Sequence, residues 1–202
     1  VDPQKGAVVM TLTTQGDAPI HYTLDGSEPT AASPRYTGPV EIGKSTRFRA
    51  TALREGGENA SYSREFAFSK STGRPAVLNT KPNDSYTFEG ASLLVDGYHS
   101  RPVFTSGAWL GYLDEPLDVT IDMGGEQSYR SVELETLAEK GDWIFPPSSV
   151  TVWVSDNGTD FTEVASVTVP EAKAGDADGI GRYRMQFPET PARYLKVVAQ
   201  NA

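Results

Sequence analysis

Apolar and polar residues alternate with a period of two along most of the chain, and this pattern predicts strands, whose successive side chains point to opposite faces. The apolar members of these runs in the first third are Val8, Met10 and Leu12, then Ile20, Tyr22 and Leu24, then Val40 and Ile42, then Phe48, Ala50 and Ala52, and last Phe66 and Phe68. Those of the remainder are Leu117, Val119, Ile121 and Met123, then Val132 and Leu134, then Val150, Val152 and Val154, then Tyr183, Met185 and Phe187, and last Leu195, Val197 and Ala199.

Glycine and proline separate these short runs, which is typical of β-sandwiches. Only residues 131–140 also admit a short helix, and their alternation favours a strand. Asn157-Gly158 follows the run of valines and predicts a tight hairpin turn with positive φ at both residues. A small, polar stretch at residues 69–75 predicts a boundary between two all-β units, 1–72 and 73–202.

The charge supports this division. Residues 1–72 carry 8 basic and 8 acidic side chains and residues 73–202 carry 10 and 19, so the whole net charge of −9 lies in the second unit. No basic excess is present to hold phosphates, which excludes a nucleic-acid partner, and no apolar run has the roughly 20 residues of a membrane span. The acidic residues Asp114, Glu115, Asp118 and Asp122, with Asp176 and Asp178, are predicted to form a solvated face.

Catalytic chemistry finds little support. The chain has no cysteine and two histidines, His21 and His99, and no nucleophile elbow. The one Asp-Glu pair, Asp114-Glu115, precedes Pro116 in a predicted loop. We therefore expect no catalytic residue in this chain.

The segment Ile20-His21-Tyr22-Thr23-Leu24-Asp25-Gly26-Ser27-Glu28-Pro29-Thr30, followed by Ser33-Pro34-Arg35-Tyr36, resembles the signature of the chitobiase/β-hexosaminidase C-terminal domain. That resemblance implies an immunoglobulin-like β-sandwich. It leaves Tyr22, Asp25, Gly26 and Pro29 with structural roles, because Asp-Gly and Pro shape turns.

The second unit resembles the coagulation factor 5/8 type C, or discoidin-like, jelly roll, which is shared with family 32 carbohydrate-binding modules. The motifs that carry this resemblance are Leu94-Val95-Asp96-Gly97, Trp109-Leu110-Gly111-Tyr112, Val119-Thr120-Ile121-Asp122-Met123-Gly124, the stretch from Val150 to Gly158, and Ala192-Arg193-Tyr194-Leu195-Lys196-Val197. Trp143-Ile144-Phe145-Pro146-Pro147 is similar to the version attached to bacterial family 20 β-N-acetylhexosaminidases.

Together the resemblances imply non-catalytic accessory modules of an exported β-N-acetylhexosaminidase, periplasmic or extracellular, whose catalytic domain lies before Val1. They would bind neutral or N-acetylated glycans or brace that catalytic domain. Two alternatives remain open: the same modules attached to another glycosidase, such as an α-L-fucosidase, and a structural domain pair without sugar affinity.

A sugar site needs an aromatic ring to stack on the C–H face of a pyranose, together with polar groups for its hydroxyls. Trp143 is the first candidate for stacking, and packing between domains is the alternative for it. The other candidates, in or beside predicted loops, are Tyr98, His99, Arg101 and Phe145. Trp109 and Tyr112 also lie near loops, and the family motif favours a core role for Trp109.

Calcium is the one cofactor that the resemblance implies, because discoidin-like jelly rolls often hold an ion in the Asp-Gly loop. Asp96 matches the carboxylate position and Ser100 a hydroxyl position. The glutamate common near the end of such modules is replaced by Gln200-Asn201. The alternative for Asp96 is a cap that accepts backbone hydrogen bonds within its loop.

Overall fold

The computed structural model describes residues 7–54, 56–173 and 175–202, and its regular structure is nearly all β. The strands are β1 (Val8–Met10), β2 (Ile20–Thr23), β3 (Val40–Ile42), β4 (Thr46–Ala52), β5 (Ala60–Phe66), β6 (Ala76–Leu78), β7 (Leu117–Ala138), β8 (Ser149–Ser155), β9 (Thr162–Thr168) and β10 (Gly179–Gln200). Four short 3-10 helices span Asp84–Tyr86, Gly90–Val95, Phe104–Ser106 and Lys140–Asp142. None of these helices has the length and hydropathy of a membrane span.

The chain forms two compact units, one comprising the residues up to Gly73 with Asp96–His99 and the other Arg74–Val95 with Ser100–Ala202. In the first unit, β1 pairs with β3, and β2, β4 and β5 form a second antiparallel sheet. Its core contains Val8, Ile42, Phe48, Ala50 and Phe66. The strand expected around Phe66 and Phe68 lies earlier in the chain, because residues 60–66 pair with β4 and this pairing ends at Phe66.

The signature residues of the first unit have structural contacts. Tyr22 stacks on Phe48 with ring centroids 5.8 Å apart. The Asp25 carboxylate accepts hydrogen bonds from the Ser27 backbone N–H and hydroxyl at 3.0 and 2.6 Å. Gly26 has a φ of 85°, and a Cβ there would lie 3.0 Å from Cβ of Arg47. These residues shape the turn after β2.

The second unit is built on one antiparallel sheet in the order β6-β7-β10-β8-β9. Strands β7 and β10, of 22 residues each, pair along almost their whole length. The alternating residues of β7, β8 and β10 form its core, with Val150 and Val152 fully buried. The all-β class expected from the alternation and the jelly roll implied by the resemblance are therefore confirmed.

Two local expectations in the second unit are wrong. Gly158 has a φ of 76° and Asn157 does not have a positive φ, so no two-residue hairpin forms. The Asn157 side-chain oxygen instead accepts from the backbone N–H groups of Thr159 and Asp160, both at 2.9 Å, and this fixes a longer turn. In addition, Asp118 and Asp122 do not lie on a freely solvated face, since they pair with Lys196 and Arg193.

Candidate functional site

Trp143 and Phe145 form an exposed aromatic pair in the loop between β7 and β8. Their side chains are 82% and 45% exposed, and their ring centroids lie 6.4 Å apart at an interplanar angle of 77°. Of the residues proposed for a sugar site, Trp143 and Phe145 are the two whose rings contact each other, and both belong to the second unit. The pair offers one broad face and a second ring standing almost perpendicular to it.

The loop beneath Trp143 is closed by backbone hydrogen bonds. The Glu139 N–H donates to the Ile144 carbonyl at 2.9 Å, and the Ile144 N–H donates back at 3.1 Å. Between them the 3-10 helix Lys140–Asp142 ends at Trp143, whose N–H donates to the Lys140 carbonyl at 3.2 Å. Trp143 therefore lies in a tight turn that three backbone hydrogen bonds hold in place.

Trp143 has a left-handed backbone, with φ of 59° and ψ of 29°. Glycine, asparagine and aspartate tolerate this region, whereas a bulky residue there is an outlier that costs on the order of 1–3 kcal/mol. An indole that is 82% exposed regains little of that cost through burial. Such strain in an exposed aromatic residue is typical of functional positions.

Lys140 links this loop to the residues just before β10. Its Nζ donates to the Asp178 carboxylate at 2.6 Å and to the Asp176 carbonyl at 2.8 Å, and its backbone N–H donates to the same carboxylate at 3.2 Å. These hydrogen bonds, the side-chain bond first, hold the pKa of Asp178 below its ordinary value. Through these hydrogen bonds Asp178 ties the loop to the start of β10.

The other sugar-site candidates lie apart from this pair in their contacts. Tyr98 and His99 belong to the first unit, where Tyr98 packs on Phe66 at 5.0 Å and lies under the Arg64 guanidinium at 3.8 Å. Arg101 is exposed and belongs to the second unit, where its backbone carbonyl accepts a hydrogen bond from Trp109 Nε1 at 2.9 Å. Trp109 is half-buried, so its indole is held by this bond.

The calcium candidates fall in different units, Asp96 in the first and Ser100 in the second. Asp96 Oδ1 accepts from the Tyr98 N–H at 2.8 Å, as a loop cap does. The Ser100 hydroxyl donates to the Ala108 carbonyl at 3.3 Å. Among the described residues, no group of three or more His, Asp or Glu side chains lies close enough to hold a metal ion. Calcium takes six to eight oxygen ligands, so calcium binding stays a prediction.

Asp114 and Glu115 are exposed, and the hydrogen bonds that Glu115 makes are structural. The Glu115 carboxylate accepts from the Lys81 N–H at 3.3 Å, and its carbonyl accepts from Asn201 Nδ2 at 3.0 Å. This pair lies just before β7 and supports the loop that leads into it.

Sequence reasoning did not select Phe88. Its ring is 47% exposed, and its φ of 39° is also positive. No apolar periodicity surrounds it, and the only signal in the sequence is the short turn-like stretch before Gly90.

The family model described as F5/8 type C domain matches residues 79–202, and the model described as chitobiase/beta-hexosaminidase C-terminal domain matches residues 3–64. Both models describe accessory domains rather than catalytic ones. No curated protein is similar enough to the chain to count as a match.

Three solved structures resemble the chain at low identity. The crystal structure of SpGH29 is 19% identical with a TM-score of 0.43, over 65% of this chain and 24% of that one, so this chain spans about a quarter of its length. A family 32 carbohydrate-binding module from Clostridium perfringens, in complex with GalNAc-β-1,3-galactose, is 17% identical with a TM-score of 0.43, over 63% and 84% of the two chains. The C-terminal domain of a chitobiase from Bacteroides fragilis is 20% identical with a TM-score of 0.38, over 63% and 82%.

Proposed function

Because the chain belongs to the F5/8 type C domain family through residues 79–202, we propose that its second unit binds carbohydrate through the exposed rings of Trp143 and Phe145. One observation carries this proposal: Trp143 is 82% exposed although its backbone has a positive φ. A residue selected for stability at this position would be glycine or asparagine. A large flat ring held there is explained by a ligand that stacks on it.

The geometry fits a pyranose. The indole offers a flat apolar face to the axial C–H groups of a sugar, while Phe145, at 77° to it, forms a side wall. Asp142, exposed directly before Trp143, supplies an acceptor for sugar hydroxyls or an acetamido N–H. Aromatic surface with a small number of placed polar groups is the usual composition of a small-ligand site.

The charge of the second unit narrows the ligand class. Its 10 basic and 19 acidic residues repel sulfated or phosphorylated polymers. Neutral and N-acetylated sugars carry no such penalty. We therefore propose that the ligands are glycans containing N-acetylglucosamine, N-acetylgalactosamine or related neutral residues.

We further propose that the modules serve an exported glycoside hydrolase, a β-N-acetylhexosaminidase, in the periplasm or outside the cell. The match of residues 3–64 to the chitobiase/beta-hexosaminidase C-terminal domain supports this assignment. The coding sequence upstream of Val1 tests it directly. A fucosidase or another catalytic domain there would contradict the hexosaminidase and leave sugar binding standing.

Binding is tested by titrating the chain with N-acetylated and neutral oligosaccharides and comparing the Trp143→Ala variant. Loss of the stacking ring is expected to weaken binding by about tenfold. Leu113→Ala is the matched control, because it removes a side chain 71% exposed from the same unit and lacks an aromatic ring. Unchanged affinity in a folded Trp143→Ala variant would contradict the site. Absence of binding to every glycan at millimolar concentration would favour a purely structural domain pair.

A further inference from the structure

Phe88 shares an unusual combination of features with Trp143. In the described part of the chain these are the two non-glycine residues with positive φ, at 39° and 59°. Both are exposed aromatic residues of the second unit, and each has a second ring set edge-on, Tyr86 at 6.3 Å and 62° and Phe145 at 6.4 Å and 77°. We propose that Phe88 is a second carbohydrate-stacking platform, so that the second unit binds glycan at two places.

The turn that carries Phe88 would fold more easily without a side chain there. The Gly90 N–H donates to the Thr87 carbonyl at 2.7 Å, which makes Phe88 the first central residue of a tight turn. Positive φ at this position is the property of Gly, Asn or Asp. Phe88 is 47% exposed and belongs to the hydrophobic core of neither unit.

Tyr86 forms a rigid support for the Phe88 ring. Its other neighbour is Phe104, at 6.3 Å and 60°, so three rings form a continuous row. The Tyr86 side chain packs directly on the backbone of Gly111. Only glycine allows this contact, because a Cβ at this position would lie 2.9 Å from Cβ of Tyr86. Backbone hydrogen bonds from Gly111 to Tyr86 at 3.2 Å and from Asn83 to Gly111 at 2.8 Å hold the two segments together.

The backbone of Gly107 also contacts the Phe88 ring. It has a φ of 79°, and a Cβ there would lie 3.6 Å from Cδ1 of Phe88, so this backbone packs beside the ring. A ring that is fixed before the ligand arrives loses little conformational entropy on binding. Phe88 is therefore preorganised, whereas a freely rotating surface phenylalanine is not.

The ligand class follows from the same reasoning as at Trp143, and this inference rests on the proposed sugar binding there. A phenyl face stacks on the C–H face of a pyranose. The exposed neighbour Glu89 adds an acceptor for hydroxyl groups and disfavours anionic polymers. Two platforms on one unit would engage two segments of one polysaccharide and slow its dissociation through a high effective concentration.

Titration of the 15N-labelled chain with N,N′-diacetylchitobiose tests the inference. We expect two separate groups of backbone amide signals to shift, one around residues 139–145 and the other around residues 86–90 and 107–111. Phe88→Gly should abolish the second response and spare the first, because glycine accepts the positive φ and leaves the turn intact. Phe88→Tyr, which keeps the ring, should restore it. On insoluble chitin, each of Phe88→Gly and Trp143→Gly should dissociate at least about tenfold faster than the parent chain.

The outcomes separate the two proposals. Shifts confined to residues 139–145, with Phe88→Gly unchanged in binding and melting temperature, would overturn the second platform and leave the proposed function intact. Shifts around residue 88 that persist in Phe88→Gly would also overturn it. A chain that binds neither the disaccharide nor chitin would overturn both proposals.

Discussion

Arg193 donates two parallel hydrogen bonds to the carboxylate of Asp122, from Nε to Oδ1 at 2.9 Å and from Nη2 to Oδ2 at 2.8 Å. The pair joins β10 to β7 beside the register shift between Ala192 and Tyr194. Side-chain bonds from Arg193, with the Gly124 N–H, lower the pKa of Asp122 to about 2. A bidentate pair fixes orientation as well as charge, so it holds the two long strands together where their ladder is interrupted.

Asp122→Asn is expected to lower the free energy of unfolding by about 1 kcal/mol at neutral pH, since the pair is partly exposed and screened by solvent. The pKa of Asp122 is lower in the folded state, so this stabilisation is present above the unfolded value of about 4. It is lost as the pH falls toward about 2. Urea unfolding at several pH values measures both effects.

Glu189→Gln is the matched control for that substitution. Glu189 forms an ion pair with Arg130, and their side chains are 50% and 78% exposed. We therefore expect the free energy of unfolding to change by less than about 0.5 kcal/mol. Equal losses in Asp122→Asn and Glu189→Gln would contradict a special role for the bidentate pair.

Substitution of Trp143 should separate stability from sugar binding. Trp143→Gly relieves the left-handed strain and is expected to be more stable than Trp143→Ala by about 1 kcal/mol, because alanine keeps the strain and loses the ring. Both variants should bind sugar about tenfold more weakly than the parent chain. Thermal melting beside a glycan titration checks this, and an alanine variant at least as stable as the glycine variant would contradict the strain.

Gly111→Ala should displace Tyr86, the central ring of the row formed by Phe88, Tyr86 and Phe104. The new Cβ would meet Tyr86 at 2.9 Å, and the atoms it meets belong to the fixed base of that side chain. We expect a loss of about 1–3 kcal/mol in the free energy of unfolding and displaced Tyr86 ring signals in the NMR spectrum. Gly141→Ala, with nothing within 4 Å of the new Cβ, is the neutral control.

The Lys140–Asp178 pair should make sugar binding insensitive to pH across the neutral range. The pKa of Asp178 is lowered by its hydrogen bonds from Lys140, so the pair persists above the ordinary carboxyl value and breaks as the pH falls below it. Asp178→Asn is expected to weaken glycan affinity a few-fold and to speed hydrogen exchange at the Lys140 amide. Unchanged exchange there would mean that the loop does not depend on this pair.

Calcium binding can be tested without disturbing the loop. In Asp96→Asn the side-chain oxygen still accepts from the Tyr98 N–H, while the ligand charge is gone. If Asp96 binds calcium, the ion at 100 times its Kd stabilises the parent chain by about 2.7 kcal/mol, and the variant shows no such shift. Magnesium is the control cation. A melting temperature that responds to neither calcium nor EDTA would contradict the prediction.

Sequence alone predicted the faces of the buried strands well, because Val150, Val152 and Val154 alternate strictly and all three are buried. It divided β7 and β10 into shorter strands, since the alternation breaks near Gly124 and Pro188, where the pairing register also shifts before the two strands pair again. It missed β6 and β9, which lie at the sheet edges and bury few side chains.

The candidate site was only partly predictable. Trp143 and Phe145 stood out as aromatic residues beside prolines. Positive φ at Trp143 depends on how Glu139 and Ile144 close the loop, and the row from Phe88 to Phe104 depends on a contact with Gly111. No local sequence pattern specifies either arrangement.

The position of β10 in the sheet has a consequence for biosynthesis. This strand lies between β7 and β8 and reaches Gln200. A nascent chain on the ribosome therefore cannot complete the second sheet until residue 200 has been added, because its central strand arrives last. A chain truncated before Gly179 would leave β7 and β8 without the strand that joins them.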